Sequence, residues 1–210
     1  MKFAVFGATG RVGRHVLTAA LDAGHSVSVL VRDTRRLPVI ARSGLTIREG
    51  AVDDPSLVAA TLAGADACIC CLAAGNNLLT RFGRVAIPQL EHSGPRRLVV
   101  LAGASLRRPE DPPAVSLAVM STIMRMVPGR MLDDVAGLVR QLEASPLDWT
   151  VVRSANHTDA PVGPVHAAAG FQMKMSATVS RQALAAFLLA IAGDGRFIRE
   201  APMVEAANVS

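Results

Sequence analysis

At 210 residues the chain has room for one α/β domain with a large core, and is too short for a second domain of ordinary size. Half of the residues are hydrophobic, yet each apolar run is broken by Gly, Arg or Asp before the roughly 20 residues a membrane span needs, so no span is expected. The net charge of +5 comes from arginines scattered between Arg11 and Arg199, and 3% aromatic content without Tyr gives a nucleic acid no stacking partners. The charge reads as a solvated basic surface that favours anionic ligands.

In chain order, residues 2–6 form a first strand. Their apolar run could pass for the front of a signal peptide, but it ends almost at once in Gly7-Ala8-Thr9-Gly10. A helix over 12–23, a strand over 26–31 and a strand over 45–48 follow. The next helix, 55–63, has Pro55 in its first turn and Asp53 or Asp54 as its cap. Residues 67–72 form a strand, and 77–92 a helix that Pro88 should kink. A strand at 98–102, a helix at 133–144 and a strand at 148–152 continue the alternation, and a helix at 179–191 and a short strand at 203–206 end it. Apolar strands alternating with helices predict an α/β, Rossmann-type doubly wound fold, a mainly parallel sheet with helices on both faces, in one domain over 1–210.

Cys68, Cys70 and Cys71 crowd into one strand, where adjacent disulfides are geometrically poor. They read as small buried hydrophobes in a reducing, cytoplasmic compartment, and with no second Cys or His pair at ligand spacing no metal site is expected. Two stretches depart from the alternation, and each follows the carboxyl end of a strand, where open α/β sheets bind ligands. Residues 107–131 hold Pro109, Pro112, Pro113 and Pro128 around an apolar run with Met120, Met124 and Met126, and read as a lid or insertion. Residues 153–175 read as a substrate-side loop over the other side of the cleft.

The strongest motif is Gly7-Ala8-Thr9-Gly10-Arg11-Val12-Gly13, between the first strand and first helix. Gly7 permits the tight turn, Gly10 lets backbone N–H groups approach a pyrophosphate, and Gly13 lets the helix pack close to the sheet. The helix N-terminus then faces the phosphates with its positive dipole end. Which dinucleotide binds is decided at the end of the second strand, where the chain reads Val31-Arg32-Asp33-Thr34-Arg35-Arg36. Arg32 offers a planar fork to a 2′-phosphate and Arg11 can reach the same edge. Asp33 is the competing reading, since an acid there could hold the ribose hydroxyls of NAD. Three nearby arginines against one acid favour NADP.

At these residues the chain resembles the atypical short-chain dehydrogenase/reductase group that includes biliverdin reductase B, NADH-flavin reductase-like and NmrA-like proteins. The likeness runs from the glycine turn through Val29-Leu30-Val31-Arg32-Asp33, Ala63-Gly64-Ala65-Asp66-Ala67 and Asp133-Asp134 to Ser180-Arg181-Gln182-Ala183-Leu184-Ala185. The resemblance implies cofactor contacts from Thr9, Gly10, Arg11, Val12, Arg32, Leu72 and Ala73, and a serine near the nicotinamide after the fifth strand.

The chain also departs from that group. The usual Tyr and Lys four residues apart correspond to Ala136 and Arg140, the fifth-strand serine aligns with Gly103, leaving Ser105 two positions on, and a family-like Arg-Pro pair is Arg153-Ser154. Acid/base chemistry of the Tyr-Lys kind is therefore unsupported. Hydride transfer to a flat conjugated acceptor such as a flavin, quinone or tetrapyrrole needs less, because stacking supplies orientation and solvent can supply the proton. Ser105, Asn156 and His157 are the catalytic candidates, with Asp159 able to orient their loop. The expected partner is a small-molecule acceptor, the expected state a monomer or homodimer, and the rival reading a non-catalytic NAD(P)-sensing regulator.

Overall fold

In the computed structural model, residues 1–108, 111, 131–171, 173–174 and 176–207 are described. Ten strands and five α-helices lie among them: β1 (Lys2–Phe6), α1 (Gly13–Asp22), β2 (Ser26–Val31), β3 (Leu45–Glu49), α2 (Pro55–Leu62), β4 (Ala67–Cys70), α3 (Leu78–His92), β5 (Arg97–Gly103), α4 (Met131–Ala144), β6 (Asp148–Ser154), β7 (Asn156–Thr158), β8 (Val165–Ala168), β9 (Thr178–Ser180), α5 (Arg181–Asp194) and β10 (Met203–Ala206). The main sheet runs β3-β2-β1-β4-β5-β6-β10-β8, parallel throughout except for antiparallel β8 at its edge. The chain therefore has the doubly wound Rossmann architecture. Its order reverses beside β1, so β2 and β4 flank β1, with Phe6 opposite Leu30 on one side and Cys70 on the other. Such a switch point opens a crevice at the strands' carboxyl ends.

Strand alternation divides β1 between two cores. Phe3 and Val5 join Val16 and Leu17 of α1 and Leu184, Leu188 and Ile191 of α5. Ala4 and Phe6 join Val58 of α2, Phe82 of α3 and Leu138 of α4 on the opposite face. Both faces of the central strands are thus buried, which is why their sequences are almost unbroken apolar runs. Cys68 and Cys70 point into the second core, where burial pushes the Cys70 thiol up to about 12. Thiolate chemistry at neutral pH is closed to it.

The elements expected between 2 and 102 lie where their local signals place them, with ends shifted by up to two residues. Asp54, not Asp53, caps α2, accepting from Ser56 N at 2.9 Å and Leu57 N at 3.1 Å, while Asp53 reaches across to Arg81 at 3.0 Å. Helix α3 continues through Pro88 to His92. The expected loop at 153–175 contains real strands. β6 extends through Ser154, β7 pairs with β9 as a separate two-stranded sheet, and β8 pairs with β10. These pairings are brief and distant in sequence, so no local period announces them. Most of 107–131, with all four prolines and the methionines of the expected lid, lies outside the described residues.

Candidate functional site

A cleft of about 790 Å³ opens at the carboxyl ends of the parallel strands, around the switch point. Its centre is the glycine turn. Gly7 has φ +83°, and a Cβ there would stand 2.5 Å from the Cys71 carbonyl oxygen. A Cβ on Gly13 would stand 2.1 Å from the Gly7 carbonyl oxygen, so Gly13 lies behind the turn as a packing residue and does not line the cleft. Gly10 donates its N–H to Gly7 O at 2.9 Å, and Thr9, Gly10, Arg11 and Val12 all face the opening. Helix α1 starts there without a side-chain cap and without an acid in its first turn. Among the described residues no side chain caps its positive end, which fits a phosphate group.

One end of the cleft lies against β2. Arg32 and Arg36 line it, but Arg35 does not, because its guanidinium turns outward and holds Asp33 through Nε at 2.9 Å and Nη2 at 3.1 Å. Asp33 also accepts from Arg35 N at 3.1 Å, capping the short 3₁₀ turn Thr34–Arg36. The hydrogen bond from Arg35 holds this carboxyl below its usual range. Of the three arginines in Arg32-Asp33-Thr34-Arg35-Arg36, two line the cleft and the third occupies the competing acid.

The segment after β4 forms a wall. Leu72, Ala73, Ala74, Leu78 and Leu79 line the cleft, and the wall is held from behind by Asp134 of α4. This carboxylate is completely buried and accepts from Gly75 N at 2.9 Å, Leu79 N at 3.1 Å and Thr80 N at 2.8 Å. It caps α3 from another helix, which is why Asn77, with φ +56° and no capping bond, can start that helix. Burial pushes the Asp134 carboxyl up, but the three backbone donors outweigh it and hold it below its usual range. The sequence marked Asp133-Asp134 only as part of a resemblance, and nothing local distinguished the capping residue from its exposed neighbour.

The other end gathers Leu101 to Ser105, Met131, Val135, Ser154 to His157, Met173, Lys174 and Ala177. All three catalytic candidates therefore line one region. A Cβ on Gly103 would meet only Ser105 Oγ, at 3.7 Å, so this position is open to the cleft. His157 Nε2 lies 2.7 Å from Ser154 Oγ, and that hydroxyl donates to the Ala102 carbonyl at 3.2 Å. A hydroxyl has one proton, so when it goes to Ala102 O the ring donates from Nε2–H to Ser154, and in the other tautomer Ser154 donates to Nε2 instead. Burial lowers the His157 pKa from 6.5, and the charges of Arg181 and Arg11 lower it further. Ser154 was missed as a site residue because its strand was expected to end two residues earlier. Asn156 Nδ2 donates to Ala177 O at 3.3 Å, tying β7 to the segment before β9. Ala136 and Arg140 do not line the cleft; from α4 the exposed Met131 and the buried Val135 do.

The profile of a family described as NAD(P)H-binding matches residues 7–194, from the first glycine of the turn to the end of α5. The chain belongs to the NAD(P)H-binding family. Among curated proteins, it is 36% identical over 69 residues to photosystem II assembly factor Ycf39 of Synechocystis sp. (strain ATCC 27184 / PCC 6803 / Kazusa), a match spanning 33% of this chain and 21% of that protein. Solved structures share the fold at low identity. ChuY, an anaerobillin reductase from Escherichia coli O157:H7, superposes with a TM-score of 0.81 at 18% identity over 100% of this chain and 99% of its own. A short-chain dehydrogenase/reductase from Veillonella parvula DSM 2008 in complex with NADP gives 0.81 at 19% identity over 99% and 95%.

In this NAD(P)H-binding protein the lining residues available to seat a dinucleotide are Thr9 to Val12, with Arg32 and Arg36 at one end and Leu72 to Ala74 as a wall. The fit is chemical as well as steric, since the described lining includes Arg11, Arg32, Arg36 and Lys174 but no carboxylate. Arg153, at the margin of the expected substrate-side loop, takes no part in the cleft. It is fully buried behind β6, paired with Asp111 through Nη1 at 2.5 Å and Nη2 at 2.8 Å, and donates to Ala201 O and Leu106 O. Among the described residues, no helix is long and apolar enough to cross a membrane.

Proposed function

We propose that this protein is an NADPH-dependent reductase that delivers hydride to a flat, conjugated small molecule such as a flavin, quinone or tetrapyrrole. The observation that carries this reading is the division of one continuous cleft. Its β2 end presents Arg32 and Arg36 while Asp33 is occupied by Arg35, and its far end is a largely apolar recess with few polar groups. The first half suits a 2′-phosphate, which a carboxylate facing the ligand would repel. The second suits a ring stacked against the nicotinamide.

Bound NADPH supplies the hydride. The chain's own contribution is placement: the glycine turn fixes the pyrophosphate, the wall held by Asp134 confines the adenosine side, and Leu101, Ala102 and Met173 exclude water beside the reacting ring. Proton delivery from His157 is weak at neutral pH, because its lowered pKa leaves the ring neutral. Solvent completes the reduction instead.

Replacing Arg32 by alanine should remove most of the preference for NADPH over NADH, weakening NADPH by about 1.5–3 kcal/mol, or roughly ten- to a hundredfold. Parallel titrations with both cofactors check this, and equal affinities in the unmutated protein would defeat the assignment. Ser105→Ala and His157→Ala should each lower turnover by only about tenfold, the scale of one lost hydrogen bond. With His157 already neutral, turnover should show no limb from it at pH 7 and above, and any protonation should appear only below 6.5. A thousandfold loss in His157→Ala with NADPH affinity intact would reveal an acid catalyst. Oxidation of NADPH with FMN and a quinone panel tests the activity itself. Since the chain has no Tyr, tight NADPH binding without turnover of any acceptor would favour the NAD(P)-sensing regulator instead.

A further inference from the structure

We propose that the acceptor end of the cleft selects an anion, a flat conjugated molecule bearing a phosphate or carboxylate that Lys174 holds at the rim of the apolar recess. This deepens the reductase reading and rests on it. Four cations and no carboxylate line the cleft among the described residues, and their positions assign them different tasks. Arg32 and Arg36 belong to the β2 end and Arg11 to the turn that meets the pyrophosphate, so the cofactor's phosphates account for these three. Lys174 stands on the opposite wall, between β8 and β9.

That wall is joined to the acceptor end through Ala177, whose carbonyl accepts both Asn156 N at 3.2 Å and Asn156 Nδ2 at 3.3 Å, next to His157. Lys174 itself is exposed, and no described carboxylate lies within ion-pair distance of its ammonium. The acid nearest in sequence to His157, Asp159, is held by Arg181 at 2.5 Å, and Arg181 also donates to His157 O at 3.1 Å. The field there is positive, and the lowered pKa of His157 is a consequence of it as well as of burial. Beside Lys174, Met173 is buried and lines the same recess. An apolar floor with a cation at its rim matches a ring system that carries one anionic group.

The test uses pairs of acceptors that differ in charge and share a ring. FMN and riboflavin differ by a phosphate; anthraquinone-2-carboxylate and 2-(hydroxymethyl)anthraquinone differ by a carboxylate. Binding to the NADP⁺-saturated protein is measured at equilibrium, so the outcome does not depend on turnover. The charged member of at least one pair should bind about tenfold more tightly, an advantage that shrinks between low and high ionic strength. Which pair shows it identifies the anionic group. Lys174→Gln should bring the ratio within a pair close to one, Lys174→Glu should invert it, and Lys174→Arg should keep it. Equal binding within both pairs, or a ratio that survives Lys174→Gln, overturns the proposal. Failure of every acceptor to be reduced, with these ratios observed, would instead defeat the reductase reading alone.

Discussion

Gly13→Ala should abolish measurable NADPH binding, lowering affinity by at least about a hundredfold, although Gly13 does not line the cleft. The added Cβ would lie 2.1 Å from the Gly7 carbonyl oxygen, 2.8 Å from the Gly7 carbonyl carbon and 3.2 Å from the Ala8 Cα. All three are backbone atoms, so no rotamer relieves the clash and α1 must move away from the turn. That displacement carries off the helix N-terminus that faces the phosphates, and overpacking of this kind costs about 1–3 kcal/mol of stability besides. Gly10→Val acts differently. Its Cβ would be 3.0 Å from Gly7 O, a tight contact that a small adjustment accommodates, but the branches beyond it occupy the space where the backbone meets the pyrophosphate. It should therefore eliminate cofactor binding with less damage to the fold. Gly163→Ala is the control, since a Cβ there meets nothing within 4 Å. NADPH titration and thermal unfolding of the three variants decide the matter, and near-normal affinity in Gly13→Ala would show that the turn tolerates a displaced helix.

Asp134→Ala should be the most destabilising single substitution near the site, at about 3–5 kcal/mol. It strips the acceptor from the buried N–H of Leu79 and the half-buried N–H groups of Gly75 and Thr80 together. Each lost partner costs about 1–3 kcal/mol, and water cannot readily replace a carboxylate that is completely buried. The pocket closes poorly around the loss because α3 and α4 are in close contact there, where a Cβ on Gly137 would approach Thr80 Oγ1 to 2.4 Å. Since the same residues fix the wall formed by Leu72 to Leu79, NADPH affinity should fall as well. The pH dependence has a definite sign. The folded carboxyl titrates below its usual value of 3.8, so its contribution is complete above that value and is lost as pH falls through the depressed pKa. Urea unfolding of the wild type and Asp134→Ala between pH 3 and 7 should show a stability gap that narrows towards acid. A gap below about 1 kcal/mol at pH 7 would mean that the α3 N-terminus finds its partners elsewhere.

What the sequence by itself determined was local. A turn of three glycines between an apolar strand and an amphipathic helix has few conformations open to it, and Gly7 to Gly13 adopts the expected one. Continuous apolar runs such as Phe3 to Phe6, closed by a glycine turn, suit strands buried on both faces, so the parallel sheet and its helices were legible, as were the glycine turn and Arg32 along the cleft, whereas Leu72 and Ala73 followed from the family resemblance alone. Tertiary structure decided whatever depends on two groups far apart in the chain. It separated Asp54 from Asp53 by giving the latter Arg81, and it chose Asp134 as the cap of a helix 55 residues earlier. It joined β8 to β10 and β7 to β9, pairings of three or four residues whose stability comes from their neighbours rather than from any period of their own. It also buried Arg153 against Asp111 on one side of β6 while turning the adjacent Ser154 towards His157 on the other. Strand alternation sends successive side chains to opposite faces, but only the packed fold decides which face is core and which is cleft.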